Sequence, residues 1–322
     1  MYKEEKRDTE TDIICIGMAL VDSIIKGFDP EPVSASGFRA VSGTLNVGGE
    51  AVNEAVAAAK LGMKTAILCA LGKDSAGDMI FEDLKKNGVN TGFILRLSEH
   101  STPVTTMFVN DDGTRKSITN QAHRFNFHPE RYTDLLKNTR AIILGSLFRS
   151  PFDDKEIILK VLSESEKNGV LVFADTKLPN FRKLTLEDIK EALPYIDYIT
   201  PNEDEAKFFT GKNNPGEAAE VFLKYGVKNV VIKLGSKGCY FKNEDIDLVL
   251  PAFKIDAVDA TGAGDNFVAG LATEILNGKD IKGALLFANG CGAICTTAVG
   301  AGTALKTKEQ VSGFISKKNT DN

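Results

Sequence analysis

Short apolar runs alternate with segments of helical length along most of this chain, and that alternation leaves few architectures open. The runs "DIICIG" (12–17), "TAILCALG" (65–72), "AIILG" (141–145), "VLVFAD" (170–175), "YIT" (198–200) and "NVVIKLG" (229–235) read as strands. Between several of them, "EAVNEAVAAAKLG" (50–62), "AGDMIFEDLKKNG" (76–88) and residues 155–168 and 215–226 read as helices. The first two stop at glycine. Such a pattern argues a mainly parallel sheet covered on both faces, the α/β class.

Two stretches break the alternation. Residues 36–49 and 103–119 have the period and turn residues of antiparallel strands, with "NDDG" (110–113) as a turn signal. They predict a small sheet outside the main body, next to the glycine pair Gly48–Gly49 and placed to cover a site there. No internal repeat, low-complexity tract or long linker divides the 322 residues. The expectation is therefore one domain over 1–322, with lid segments at about 36–48 and 103–119. Flexible tails are expected at 1–10 and 316–322.

Charge and cysteine content exclude several partners. A formal net charge of −5 and a pI near 5.5 carry no basic excess, so nucleic acid is not an expected partner. No apolar run reaches the length of a membrane span, and the charged N-terminus "MYKEEKRDTETD" has no apolar core of a signal peptide. The five cysteines are scattered and odd in number, which reads as reduced core thiols and a cytoplasmic protein.

The chemistry-bearing stretches cluster around glycines. "DATGAGDNF" (259–267) follows an extended segment and precedes helical periodicity, so its glycines fall at a helix N-terminus. Free N–H groups and the macrodipole favour a phosphate there. Asp265 on the first turn can take a proton from a hydroxyl attacking that phosphate. A glycine turn with a capping aspartate is the alternative. In "GGEAVNEAV" (48–56) two glycines open a helix and Asn53 lies one turn inside it, where its amide can donate to and accept from a polyol; an exposed Asn after a loop is the other reading. Asp22, in the apolar run "GMALVDSI" (17–24), needs solvent, a cap, a salt bridge or sugar hydroxyls. In "TPNEDEAKFFTG" (200–211), Asn202 and Glu205 share one side of a first helical turn, which suits either water-mediated Mg2+ or an ordinary N-cap.

Other signatures are missing. There is no P-loop, no G-x-G-x-x-G after the first strand and no G-x-S-x-G elbow. His100, His123 and His128 lack metal-ligand spacing and read as loop residues.

Taken together, "GGEAVNEAVAAAKLG", "LGKDSAGDMIFEDLKKNGVNT", "TPNEDEAKFFTG", "KLGSKGCY" and "DATGAGDNFVAGL" resemble the ribokinase-like (pfkB) carbohydrate kinase family in order and spacing, over residues 11–310. The resemblance implies a three-layer α/β/α sandwich with a small β-sheet lid that closes on sugar. It implies ATP-dependent phosphorylation of a ribose- or fructose-like sugar. The base falls to Asp265, and the anion hole to the backbone of Gly262, Ala263 and Gly264. Sugar contacts fall to Asp22, Gly48, Gly49 and Asn53, with Asp265. The nucleotide falls to Asn202, Lys233, Gly235, Gly238, Gly262 and Gly264, with Asn289 beside the adenine. The resemblance places Mg2+ at Glu205 through water, and a candidate K+ between Asp259 and the loop 296–304. Where many ribokinases carry lysine this chain has Glu50, and where they often carry glutamine it has Glu54. Adenosine-type nucleoside kinases share the motifs and form the alternative. An NAD-linked oxidoreductase is a distant second, and a nucleotide-binding regulator without catalysis has no need of Asp265. The exposed lid strands can also pair two subunits as a homodimer.

Overall fold

The computed structural model describes residues 11–27, 29–34, 37–110, 114–120, 127–180 and 182–320. From the N-terminus run β1 (Thr11–Gly17), β2 (Leu20–Lys26), β3 (Asp29–Ser34), β4 (Gly37–Arg39) and β5 (Ser42–Gly48). Next come α1 (Glu50–Lys60), β6 (Thr65–Leu68), β7 (Ala70–Gly72), α2 (Ser75–Lys86), β8 (Leu95–Leu97), β9 (Val104–Val109) and β10 (Arg115–Thr119). The middle holds β11 (Thr139–Leu147), α3 (Lys155–Lys167), β12 (Leu171–Thr176), β13 (Tyr198–Thr200), α4 (Glu203–Thr210), α5 (Pro215–Lys224) and β14 (Asn229–Lys233). The chain closes with β15 (Cys239–Lys242), β16 (Asp247–Leu250), α6 (Ala263–Leu276), α7 (Ile281–Cys295) and α8 (Lys308–Thr320).

The strand side chains explain the continuous apolar runs. Successive residues point to opposite faces, and here both faces are dry. Ile13 and Cys15 of β1 join one hydrophobic cluster while Ile14 and Ile16 join another. Ile143 and Phe173 go to the first, and Ile142, Leu144, Val172 and Ala174 to the second. Each such side chain contributes about 1.5–3 kcal/mol on full burial. The first cluster is roofed by α1, α2, α6 and α7; the second by α3, α4 and α5. The result is a three-layer α/β/α sandwich around an eight-stranded sheet of order β16-β15-β14-β13-β12-β11-β1-β6. Its pairs are parallel from β6 to β14 and antiparallel at β14–β15 and β15–β16.

The smaller sheet has the order β10-β9-β2-β5. Both expected segments supply strands to it, but its centre is β2, which the apolar run 17–24 does not announce. β2 runs antiparallel to β5 and parallel to β9, placing Asp22 opposite Asn46 on one side and Thr105 on the other. The stretch 37–39 does not join this sheet; β4 pairs with β3 in a separate ribbon. The run 65–72 also divides: β6 joins the main sheet and β7 pairs with β8. Residues 316–320, expected as tail, continue α8. The expected tail 1–10, most of the turn 110–113, and His123 lie outside the described residues.

Gly49 joins the small sheet to the main body, between β5 and α1. Its φ is 102°, and a Cβ there would stand 2.5 Å from Met18 O and 3.0 Å from Ala19 Cα. Both neighbours are backbone, so neither can swing away. Gly49→Ala is expected to lower unfolding stability by more than about 1 kcal/mol. Urea denaturation reads this as a lower midpoint at unchanged slope; an unmoved midpoint contradicts it.

Candidate active site

The first turn of α6 is built by a glycine in a left-handed conformation. Gly262 caps the helix at φ 78° and ψ 0°, and Ala301 packs where its side chain would be. Asn266 fixes this turn from below, donating from Nδ2 to Gly262 O at 2.8 Å and to Ala301 O at 3.0 Å. The Ala263 N–H donates within the turn to Ala260 O at 3.2 Å. Asp265 follows, only 9% exposed. Its Oδ2 accepts a 2.6 Å hydrogen bond from Asn53 Nδ2 on α1. Burial pushes the Asp265 carboxyl up to about 6, with the Lys177 charge and the Asn53 bond holding it back. It is ionised just above that value, next to a helix N-terminus where an anion is favoured. A proton acceptor beside an anion site is what a hydroxyl attacking a phosphate requires.

A second buried charge stands under the same turn. A Cβ on Gly264 would lie 3.3 Å from Lys233 Nζ. Lys233, at the end of β14, pairs with Asp175 Oδ1 at 2.5 Å. Thr200 Oγ1 donates to the same oxygen at 2.8 Å. These residues come from the carboxyl ends of β12, β13 and β14, the edge at which open parallel sheets bind ligands. Burial acts to lower the Lys233 pKa, but Asp175 and Glu205 outweigh it and hold the ammonium charged.

The remaining site residues fall into three groups. Asp22 overhangs the glycine pair: a Cβ on Gly48 would meet its Oδ2 at 2.5 Å. Burial, then Glu50, raises the Asp22 pKa. Asn202 and Glu205 form a complete capping box on α4: Glu205 N donates to Asn202 Oδ1 at 2.9 Å, and Asn202 N to Glu205 Oε2 at 2.9 Å. Thr176 Oγ1 adds a 2.8 Å bond to Glu205 Oε2. The N-cap reading of that motif is thus present in full.

Gly235 and Gly238 both have positive φ in the loop after β14; a Cβ on Gly238 would lie 2.6 Å from Ala252 N, so glycine there permits close packing. Asn289 is buried on α7 and donates to Pro251 O at 3.3 Å. Asp259 caps its own turn, accepting from Thr261 N at 3.0 Å and Thr261 Oγ1 at 2.7 Å. Its other oxygen accepts from Gly300 N at 3.0 Å, which ties the turn to the loop 296–304.

Sequence reasoning missed Asp175, the partner of Lys233, although a carboxylate ending an apolar strand was a usable signal. Its reading of Glu54 went no further than the glutamine it replaces. Glu54 is fully buried on α1, and neither carboxyl oxygen has a hydrogen-bond partner. Burial, with Asp175 and Asp265 nearby, pushes its pKa well up, so it is held as the neutral acid.

Comparison with known proteins fits this geometry. The pfkB family carbohydrate kinase pattern matches residues 10–308. A ribokinase of Haemophilus influenzae is 30% identical over 278 residues, covering 83% of this chain and 87% of its own. Fructokinase-2 of Zea mays is 31% identical over 290 residues, covering 84% and 86%. Among solved structures, Arabidopsis thaliana ribokinase complexed with ribose and ATP superposes with a TM-score of 0.84 at 25% identity, covering 95% of this chain and 98% of that one.

The Asp175–Lys233 pair yields a stability prediction. Asp175→Ala leaves a buried ammonium without its partner and is expected to cost about 3–5 kcal/mol. The double variant Asp175→Ala/Lys233→Met, which removes both charges, is expected to recover part of that loss in chemical denaturation. A single variant as stable as the parent contradicts the pairing.

Proposed function

The chain belongs to the pfkB family of carbohydrate kinases, and on that premise we propose that it transfers the γ-phosphate of ATP to a hydroxyl of a ribose- or fructose-like sugar. The observation that carries this reading is the buried Asp265 carboxylate at the N-terminus of α6, held by Asn53. The sugar hydroxyl lies against Asp265, with Asp22, Gly48, Gly49 and Asn53 around the sugar. The hydroxyl oxygen bonds to the γ-phosphorus as the bond to the bridging oxygen of ADP breaks, and the hydroxyl proton passes to Asp265. The N–H groups of Gly262 and Gly264 face the transferred phosphoryl group, while that of Ala263 already donates to Ala260 O. The Lys233 ammonium beneath Gly264 supports its charge. The segments carrying Asn202, Gly235, Gly238 and Asn289 line the nucleotide side.

A bound Mg2+ would neutralise phosphate charge, and Glu205 is the carboxylate available to it through water. This fits a side chain whose Oε2 is already engaged by Thr176 and Asn202. For K+, the loops at Asp259 and 296–304 meet through Val258 N to Thr296 O at 2.7 Å and Gly300 N to Asp259 Oδ2. A cation there would steady the turn that aims its donors at phosphate. The β2–β5–β9–β10 sheet is the lid over the sugar, and its exposed Leu45 and Ile118 offer a surface for a second copy. Among the described residues no helix is long and apolar enough to cross a membrane. The five cysteines are buried free thiols, which agrees with a reducing, cytoplasmic setting.

Asp265→Asn keeps the shape but cannot take the proton. Turnover with ribose or fructose, followed by ADP release, is expected to fall about 10² to 10⁴-fold while ATP still binds. The parent enzyme should gain activity as pH rises through about 6, the point where Asp265 ionises. A variant within a few-fold of the parent, or a flat acid limb, contradicts the assignment. K+ is expected to raise turnover over a large organic cation at matched ionic strength, and Asp259→Ala to abolish that difference. Equal rates in both salts for the parent remove the cation site.

A further inference from the structure

One ion pair at the acceptor end of the cleft enters the mechanism above only through the pull of Lys177 on the Asp265 carboxyl. β12 ends in Asp175 and Thr176, and Lys177 follows. Asp175 turns to Lys233, whereas Lys177 Nζ meets Glu50 Oε1 at 2.5 Å. Glu50 opens α1 directly after Gly49 and stands three residues before Asn53, so the two share a face of the helix. Asn53 holds Asp265. Glu50, Lys177, Asn53 and Asp265 therefore line one wall. The pair is half-buried, with 43% of the Lys177 side chain and 20% of the Glu50 side chain exposed.

We propose that the Glu50–Lys177 pair is the specificity-determining element of the acceptor site, selecting an uncharged polyol over an acceptor that bears a carboxylate or phosphate group. This deepens the sugar-kinase reading and rests on it. The pair cancels its own charge, yet presents N–H donors on Lys177 and acceptor oxygens on Glu50. One hydroxyl can accept from the first and donate to the second. Around it stand Asp22 from β2, Asp265 from α6 and Arg149 from the segment after β11, each near enough to interact electrostatically with Glu50. Arg149 is itself tied down, donating from Nε to Leu178 O at 2.6 Å. With Glu50 matched to Lys177, two carboxylates face one guanidinium. An anionic acceptor adds a third negative charge, or must draw Lys177 away and strand Glu50. Repulsion of this kind is how a site rejects a competitor. The direction of the local charges agrees. Burial works to raise the Glu50 pKa, but Lys177 and Arg149 hold it below the usual range, while Glu50 and Asp265 raise that of Lys177.

The test compares ribose and fructose with ribonate and gluconate, which carry a carboxylate yet keep the terminal hydroxyl free, in the parent, Glu50→Gln and Lys177→Gln, by kcat/KM and by calorimetric Kd. The parent is expected to favour the neutral sugars. Glu50→Gln, which leaves the Lys177 charge unmatched, should move the ratio at least about tenfold toward the anionic acceptors, mainly through acceptor KM. Lys177→Gln should move it the opposite way. KM for ATP should stay put in both. A parent that prefers the anionic acceptors overturns the proposal, as do kcat/KM and Kd ratios unmoved by Glu50→Gln. No turnover with any acceptor sinks the kinase reading instead; the Kd ratios then still decide the role of the pair, and binding of none of the four acceptors overturns it as well.

Discussion

The hydrogen bond between Asn53 and Asp265 is the constraint around which the cleft is arranged. A buried carboxylate is costly unless a polar partner meets it. Here the partner comes from a helix 212 residues away in sequence, at 2.6 Å. For the bond to form, α1 and α6 must pack side by side on the same face of the sheet. Small residues make that approach feasible: Ala57 on the Asn53 face of α1, and Ala269 and Ala272 on the Asp265 face of α6, are all buried. A hydrogen bond to a charged group contributes about 1.5–3 kcal/mol. That keeps Asp265 in place without removing the burial that raises its affinity for protons.

The same logic of paired charges runs along the whole cleft. Lys233 is matched by Asp175 under the Gly262–Gly264 turn, and Glu50 by Lys177 at the start of α1. Glu54 sits among these groups without a partner and is kept neutral by its surroundings. β12 links the two ends, since Asp175 and Lys177 stand two residues apart at its tip. Moving that tip would disturb both charge pairs at once.

Much of this was readable in advance, for physical reasons. The central strands were legible because both their faces are dry, so "IICI" and "AIIL" carry no polar alternation to confuse with a wet sheet. The glycine turn before Asp265 was legible because only glycine accepts the φ of Gly262. The spacing of Asn202 and Glu205 already matched a capping box. The inner strand β2 of the small sheet was not legible. Asp22 interrupts "LVDSIIK" without breaking it, and only pairing with β5 and β9 shows why. The Asp175–Lys233 pair was hidden because its members lie 58 residues apart and meet only through the strand order. Asn53 was read as a sugar contact, while its bond to Asp265 depends on how two helices pack.

The account rests on Asp265 being an ionisable base whose affinity for protons is raised by burial, and the carboxyl itself can be titrated. In 13C NMR of protein labelled at the aspartate side-chain carboxyls, with Asp265→Asn identifying the resonance, the account predicts a midpoint near about 6. Asn53→Ala should move that midpoint further up, because a bond to the charged form is lost. A midpoint close to the ordinary aspartate value of about 3.9, unmoved in Asn53→Ala, would contradict it.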